Sequence, residues 1–194
     1  MHEPPSIARC LSLMDDFAML ENIREHSIMV ARTAQALLDS LRPAAGMLPS
    51  RHLVVSGALL HDIAKTQCIR TNCDHSQVGS AICADLGYPE IGEIVREHVI
   101  LADFPVERYR QGIFSAKDIV YYADKRVLHD QIVSLDIRLG YIIERYGNNN
   151  EVYHALIRKN FVRCQDLEGF LFAHISYPPK ELALQVSAAP PLSD

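Results

Sequence analysis

An adjacent histidine and aspartate, His61 and Asp62, end a segment that is otherwise apolar. The residues before them run Val-Val-Ser-Gly-Ala-Leu-Leu over positions 54–60, and a helix of this composition is expected to be buried. Burying an imidazole and a carboxylate is costly unless hydrogen bonds or a bound ion satisfy them. The two residues are therefore either a mutually satisfied core pair or two ligands of a metal ion, and the dipeptide alone leaves both open.

Lys65 follows His61 by four residues. On a continuous helix it would lie on the same face, one turn further on. An imidazole, a carboxylate and an ammonium gathered there suit a metal ion with a phosphate beside it. The ordinary alternative is a lysine that faces solvent.

Further histidines and one further aspartate stand where a shared site would need them. His26 lies on the apolar stripe of the second predicted helix, His75 opens the fourth and His98 closes the fifth. Asp124 is a carboxylate among apolar residues in the middle of a later helix. Each has an ordinary interpretation as a satisfied core histidine, a helix cap or a surface acid. Their succession along one helical chain favours a common site.

The elements that must position these residues are predicted to be helices, because apolar residues recur at intervals of three and four and no segment alternates as a strand would. Pro43 and Gly46 are predicted to break the chain, and Ser115 with Asp118 to form a capping box. Gly57 would permit close approach by a neighbouring helix. The predicted helices cover about residues 6–20, 24–41, 51–65, 75–86, 89–97, 115–129, 134–146 and 150–172.

We expect an all-α fold with a single helical domain over residues 1–180. Its motifs occupy residues 24–130, and the helices of residues 131–180 support them. Residues 181–194, which include a run of Ala, Pro and Ser, are expected to be a flexible tail.

The composition is typical of a soluble globular domain, with 48% hydrophobic and 22% charged residues in a chain of 194. No apolar stretch is long enough to span a membrane and the N-terminus lacks the pattern of a secretory signal, so a cytoplasmic location is expected. The net charge of −5 argues against a protein that coats nucleic acid. A small anionic substrate is compatible with that charge, because bound metal ions would supply positive charge locally.

The cysteines, at positions 10, 68, 73, 83 and 164, are odd in number and irregular in spacing. These intervals match neither a disulfide framework nor a zinc site of the C-x2-C type. Cys68 and Cys73 could pair, but reduced and mostly buried thiols are the expectation for a cytoplasmic protein.

The order of the histidines and aspartates resembles the H…HD…D signature of the HD superfamily of metal-dependent phosphohydrolases. Residues 61–65, His-Asp-Ile-Ala-Lys, are similar to the HDIGK form of its central motif, with Ala64 in place of glycine. The resemblance extends from His26 to Val127, roughly half of the chain. It implies a helical bundle of HD type.

The resemblance also implies a ligand set. The residues that correspond to the family's four ligands of one divalent ion are His26, His61, Asp62 and Asp124. His75 and His98 match the two histidines that hold a second ion in binuclear members, with Asp62 as a bridge. Imidazole and carboxylate ligands favour Fe, Mn, Co, Ni or Zn over Ca or Mg, so one or two divalent transition-metal ions are the expected cofactor.

The implied activity is hydrolysis of a phosphoester or phosphoanhydride, with a nucleotide as the expected substrate. Within the family, the pattern is most similar to that of bacterial HD hydrolases that cleave nucleoside polyphosphates such as diadenosine tetraphosphate. A bound metal lowers the pKa of water from about 15.7 towards about 7. Lys65 would neutralise the phosphate, so Asp62 and Lys65 are the expected catalytic residues. Lys125 and Arg126 either reach a substrate phosphate or form a solvated edge.

The competing hypothesis is a sensor, an HD domain that binds metal and nucleotide without turning the nucleotide over. A full set of ligands weighs against it. Under either hypothesis the expected partner is a small phosphorylated molecule. Neither a nucleic acid nor a membrane is expected as a partner, and a homodimer stays an open possibility.

Overall fold

Helices begin where the sequence offers a capping side chain. Ser6, Ser115 and Ser134 each accept a hydrogen bond from the backbone N–H three residues on. Such caps satisfy N–H groups that the first turn of a helix leaves without a partner. The predicted capping box of Ser115 and Asp118 is confirmed, with both reciprocal hydrogen bonds present.

The computed structural model describes residues 3–42 and 48–193, so the predicted break at Pro43 and Gly46 lies outside the described residues. The chain is an all-α bundle, as predicted, with a short β-hairpin. In the part of the chain that the structure describes, no helix is both long and apolar enough to cross a membrane. The helices are α1 (Ile7–Asp16), α2 (Glu21–Ser40), α3 (Arg51–Leu60), α4 (Lys65–Thr71), α5 (His75–Asp85), α6 (Pro89–Glu97), α7 (Val106–Arg110), α8 (Ala116–Lys125), α9 (Leu135–Tyr146), α10 (Glu151–Phe172) and α11 (Leu182–Ala188), the last preceded by a 3-10 turn at Pro179–Glu181.

The hairpin consists of β1 (Val127–Leu128) and β2 (Gln131–Ile132), which pair in antiparallel fashion. It was not predicted, because the helix expected to reach residue 129 ends at Lys125. Strands of two residues are too short to leave the alternation by which a strand is recognised in a sequence.

The stripe of α2 lies in the core. Ile23, Val30, Ala34 and Leu37 are at most 5% exposed, and the helix packs against α3 and α8. Burial of one such aliphatic side chain is worth about 1.5–3 kcal/mol, except for the smaller alanine. The stripe therefore fixes the rotation of α2 and, with it, the direction of His26, which shares this face.

Glycines bring the helices that carry the predicted ligands close together. A Cβ atom at Gly57 of α3 would lie 2.5 Å from Cδ1 of Ile94 on α6, so the predicted close approach is present. A Cβ atom at Gly79 of α5 would lie 2.8 Å from Cγ1 of Val95. Larger side chains at either position would push α6 away from its neighbours.

The third predicted helix, expected to run to Lys65, is divided in two. α3 ends at Leu60, residues 61–64 form a turn, and α4 begins at Lys65. Within the turn, the N–H groups of Ile63 and Lys65 donate to the carbonyls of the residues three before them. The argument that His61 and Lys65 share one face of a continuous helix is therefore wrong.

The C-terminal segment differs from the flexible tail predicted for residues 181–194. Its helix α11 packs against α2 and buries Leu182 and Val186, which are 0% and 2% exposed. Beyond α11, the side-chain amide of Gln35 donates to the carbonyls of Pro190 and Pro191. A helix of seven residues contains too few turns to show helical periodicity in the sequence. The prolines after it favoured a flexible tail, which is the wrong prediction for this segment.

A disulfide joins Cys68 and Cys73, which corrects the expectation that all cysteines are reduced. After α4 the residue Asn72 is left-handed, with φ of 56°, and this turns the chain back until the two Cα atoms are 4.6 Å apart. The expectation failed because it was argued from the cellular compartment and not from local geometry. The cysteines outside the disulfide are Cys10, Cys83 and Cys164, and all three are buried.

Candidate metal centre

The predicted ligands converge where helices end or begin. His61 and His98 are the C-cap residues of α3 and α6, Asp124 lies in the last turn of α8, and His75 opens α5. His26 faces them from α2. The structure thus brings together all the residues predicted as ligands, which are His26, His61, Asp62, His75, His98 and Asp124.

His61 and His98 are oriented in the same way by the ends of their helices. Nδ1 of His61 is 2.7 Å from the carbonyl oxygen of Ala58. Nδ1 of His98 is 2.6 Å from the carbonyl oxygen of Val95. A carbonyl oxygen only accepts hydrogen bonds, so Nδ1 carries the proton and Nε2 presents its lone pair to the cluster.

His26 is oriented by the turn of the hairpin. Its Nδ1 is 2.9 Å from the carbonyl oxygen of His129 and donates to it, so Nε2 again faces the cluster. His129 has a φ of 55°, a left-handed conformation that is uncommon for a residue with a Cβ atom. Hydrogen bonds of this kind fix the tautomer and ring orientation of histidines that bind metals.

Two buried atoms of the cluster have no hydrogen-bond partner among the described residues. They are Nε2 of His61 and Oδ1 of Asp62, on side chains that are 0% and 1% exposed. A buried polar atom without a partner costs about 1–3 kcal/mol or more. A divalent cation would satisfy both the imidazole lone pair and the carboxylate oxygen, so the residues present fit a metal ion.

The first group of ligand atoms belongs to His26, His61 and Asp62, with Asp124 beside them. Nε2 of His26 lies 3.0 Å from Oδ1 of Asp124, and Nε2 of His61 lies 3.7 Å from the same oxygen. Nε2 of His61 is also 3.4 Å from Oδ2 of Asp62. Imidazole nitrogens and carboxylate oxygens in this combination suit borderline divalent metals.

The second group belongs to Asp62, His75 and His98. Oδ1 of Asp62 is 3.3 Å from Nε2 of His75 and 3.5 Å from Nε2 of His98. Because its other oxygen faces His61, the carboxylate of Asp62 lies between the two groups. The side chain of His75 is 27% exposed, so the cluster opens to solvent on this side.

Burial and ion pairs set protonation states that favour metal binding. Burial lowers the pKa of His98 to about 4, so this imidazole is neutral near pH 7. Burial opposes ionisation of Asp62, but Lys65 stabilises the carboxylate and its pKa is held well below the usual range. Burial likewise opposes ionisation of Asp124, and Lys125 makes the largest contribution in the other direction, so that its pKa is also well below the usual range.

His61 differs from the other buried histidines. Burial acts to lower its pKa, but the carboxylates of Asp62 and Asp124 and the carbonyl of Ala58 act together in the other direction, and the pKa is raised. The negative charge of Asp62 thus favours a positive charge at His61. A metal ion would compete with a proton for Nε2 of this imidazole.

Lysines accompany both carboxylates. Nζ of Lys65 is 2.7 Å from Oδ2 of Asp62, and its side chain is 24% exposed. Nζ of Lys125 is 2.9 Å from Oδ2 of Asp124 and donates to the carbonyl of His98 at 2.8 Å. Lys65 is therefore partly exposed beside the oxygen of Asp62 that also faces His61, whereas Lys125 is buried behind Asp124.

The structure excludes one of the two alternatives considered for Lys125 and Arg126. Both are buried, at 5% and 4% exposed, so they form no solvated edge. Arg126 points away from the cluster, to Glu168 and the carbonyl of Val133. Lys125 pairs with Asp124 beside the cluster.

Two residues that surround the cluster were not predicted. His129 contributes through its backbone carbonyl, which accepts from His26 and which no sequence pattern reveals. Arg138 of α9 is 7% exposed and its Nη2 lies 3.6 Å from Oδ1 of Asp124. In the sequence, Arg138 stands between Leu135 and Ile142 on the apolar side of a predicted helix, and this position indicates a buried arginine.

Comparison with known proteins matches residues 23–133 of the chain to the HD domain. A tRNA (cytidine(56)-2'-O)-methyltransferase from Picrophilus torridus is similar, with 30% identity over 160 residues, which are 79% of this chain and 44% of that protein. The chain thus spans less than half the length of that curated relative. No solved structure matches the chain. Since the HD match covers more than half of the chain and includes every residue of the cluster, the protein belongs to the HD domain family.

Proposed function

We propose that the protein is a metal-dependent phosphohydrolase that cleaves a phosphoester or phosphoanhydride, with a nucleotide as its substrate. The observation that carries the proposal is the position of Asp62, with one carboxylate oxygen towards His61 and the other towards His75 and His98. A carboxylate that faces two sets of imidazole nitrogens is suited to bridge two ions. Membership of the HD family supports the same conclusion.

The ligands divide into two sets. The first ion would be held by His26, His61, Asp62 and Asp124, and the second by His75 and His98 with Asp62 shared. When bound, ions of Fe, Mn, Co, Ni or Zn would supply an activated water nucleophile and a positive clamp on phosphoryl oxygens.

The remaining steps depend on the chain's own side chains. Lys65 pairs with Oδ2 of Asp62 and is partly exposed, so its ammonium can meet a phosphate at the cluster while it stays close to the carboxylate. Lys125 holds Asp124 from the buried side. The backbone carbonyls behind the histidines keep their Nε2 atoms turned towards the reacting group, which spares reorganisation during the reaction.

The relative's name describes methyl transfer to a tRNA, and that activity is not carried over. The chain aligns with 44% of that protein, so the methyltransferase activity belongs to a longer polypeptide. A cluster of imidazoles and carboxylates is chemistry for hydrolysis and metal binding, whereas methyl transfer needs a methyl donor that such ligands do not bind.

The test is metal analysis followed by a screen for hydrolysis over a panel of nucleotides, with the nucleotide products separated by ion-exchange chromatography and inorganic phosphate measured alongside. We expect the protein, supplied with Mn²⁺, Co²⁺, Ni²⁺, Fe²⁺ or Zn²⁺, to bind metal and hydrolyse at least one nucleotide. Asp62→Ala should lose metal and reduce the rate more than about a hundredfold. Replacing a residue that only hydrogen-bonds to a metal ligand already lowers metal affinity or activity about 10–100-fold. The matched control is Asp166→Ala, which changes an exposed aspartate on α10.

Full hydrolysis by Asp62→Ala would refute the assignment. Wild-type protein that binds metal and nucleotide but forms no hydrolysis product would support the sensor hypothesis instead.

A further inference from the structure

A buried arginine outside the family match faces the cluster. Arg138 lies on α9, which begins after the HD match ends at residue 133. It is 7% exposed, and its Nε is buried without a hydrogen-bond partner in the described part of the chain. Its closest carboxylate oxygen, Oδ1 of Asp124, is 3.6 Å from Nη2, beyond a good hydrogen bond. A guanidinium with so little compensation for burial is expected to have a further partner.

The side of Asp124 on which Arg138 lies indicates what that partner is. Lys125 pairs with Oδ2, whereas Arg138 approaches Oδ1, the oxygen that also faces His26 and His61. Lys125 thus already stabilises the carboxylate of Asp124 through Oδ2. The charge of Arg138 is instead placed on the side where ligand atoms gather.

Aromatic contacts hold Arg138 in that position. Its Cζ lies 5.6 Å from the centroid of the Tyr141 ring, one turn further along α9. Tyr141 in turn meets the ring of His129 edge-on, with centroids 5.5 Å apart. Because the carbonyl of His129 orients His26, one chain of contacts ties the guanidinium to a predicted metal ligand.

We propose that Arg138 is a substrate-binding residue whose guanidinium takes a phosphoryl oxygen of the substrate at the metal centre. A guanidinium presents N–H groups in a fixed fork, which matches two oxygens of a phosphate. Arg138 and Lys65 then approach the substrate from the sides of Asp124 and Asp62 respectively. This inference rests on the proposed function for its substrate class, and it assigns recognition of phosphate to α9.

The experiment measures binding of inorganic phosphate to protein loaded with Mn²⁺, by isothermal titration calorimetry, together with bound metal by elemental analysis. Arg138→Gln should weaken phosphate binding about tenfold or more while leaving the metal content unchanged. Arg138→Lys, which keeps the charge but loses the fork, should give an intermediate affinity. The matched control is Arg158→Gln on α10, an exposed arginine whose replacement should leave phosphate affinity unchanged.

The outcomes separate this inference from the proposed function. If no nucleotide is hydrolysed but phosphate affinity falls in Arg138→Gln with metal intact, the inference stands and the hydrolase assignment fails. Unchanged phosphate affinity in a folded Arg138→Gln or Arg138→Lys variant would overturn the inference. Loss of metal in both variants would also overturn it, since Arg138 would then serve to position Asp124. So would a metal-loaded wild type to which phosphate does not bind.

Discussion

At the scale of single residues, the ring orientation of each histidine decides what the cluster can bind. Nε2 of His75 and Nε2 of His98 are 3.2 Å apart, and both face the same oxygen of Asp62. One ion bound between these three atoms could replace the weak contacts that they make with one another. This second group is the reason for predicting a centre with two ions.

Replacing that second group should change the stoichiometry of the metal. The double variant His75→Ala/His98→Ala is expected to fall from two bound ions per chain to one and to lose most hydrolysis, because half of the phosphoryl clamp is removed. Elemental analysis under metal-replete conditions measures the number of bound ions, and the nucleotide screen measures the rate of hydrolysis. His174→Ala, outside the cluster, is the control and should keep both ions. A wild type with a single ion, or a double variant with unchanged metal content, would contradict a binuclear centre.

The sequence was a good guide to which residues cluster and a poor one to what surrounds them. Histidines and aspartates on apolar segments are costly to bury, and this is visible from residue types alone. The pairing of Lys65 with Asp62, the burial of Lys125 and the approach of Arg138 depend on how helices distant in sequence meet. No local pattern encodes those contacts.

At the scale of elements, the segment between the two groups of ligands is short and closed by a covalent bond. The disulfide of Cys68 and Cys73 joins α4 to the residues just before α5, which starts with His75. It closes a small loop, and by the loop-entropy argument such a bond is worth about 2 kcal/mol.

Thiol labelling checks this element. Alkylation in denaturant without reductant should modify three cysteines per chain, and five after reduction. Reduction should lower the free energy of unfolding by about 2 kcal/mol, measured by urea denaturation. The variant Cys68→Ser/Cys73→Ser is the control, and its stability should not respond to reductant. Five labelled cysteines before reduction would show that the thiols are free.

The bounds of elements were predictable where capping residues mark them. Ser115 and Ser134 marked helix starts correctly, as did Asn150. The break after Leu60 and the hairpin after Lys125 were missed, because each is a turn of a few residues inside a stretch with helical periodicity. Both turns carry residues of the candidate metal centre. Local departures from helical periodicity therefore coincide with that centre.

At the scale of the whole molecule, the C-terminal helix belongs to the fold. α11 packs on α2, and Arg32 of α2 donates to the carbonyl of Val186. The helix that carries His26 is therefore covered on one side by the last elements of the chain.

Two leucines of α11 give a matched test. Leu182 is fully buried, whereas Leu184 is 69% exposed. Leu182→Ala should lower the free energy of unfolding by about 2–5 kcal/mol because it leaves a cavity. Leu184→Ala should change it by no more than about 0.5 kcal/mol. Urea denaturation measures both. Equal stabilities of the two variants would mean that the segment is the flexible tail first expected from its composition.

The convergence of helix ends at the cluster also has an electrostatic consequence. α3 and α6 end at the residues before His61 and His98, and α8 ends one residue after Asp124. The peptide dipoles of a helix leave about half a negative charge at its C-terminus, worth about 0.3–1 kcal/mol for a nearby cation. Three backbone termini thus add negative potential to that of the two aspartates. These helix ends therefore favour a bound cation at the cluster, where Lys65, Lys125 and Arg138 already accompany the two carboxylates, so their backbone carbonyls should raise the affinity for a metal ion.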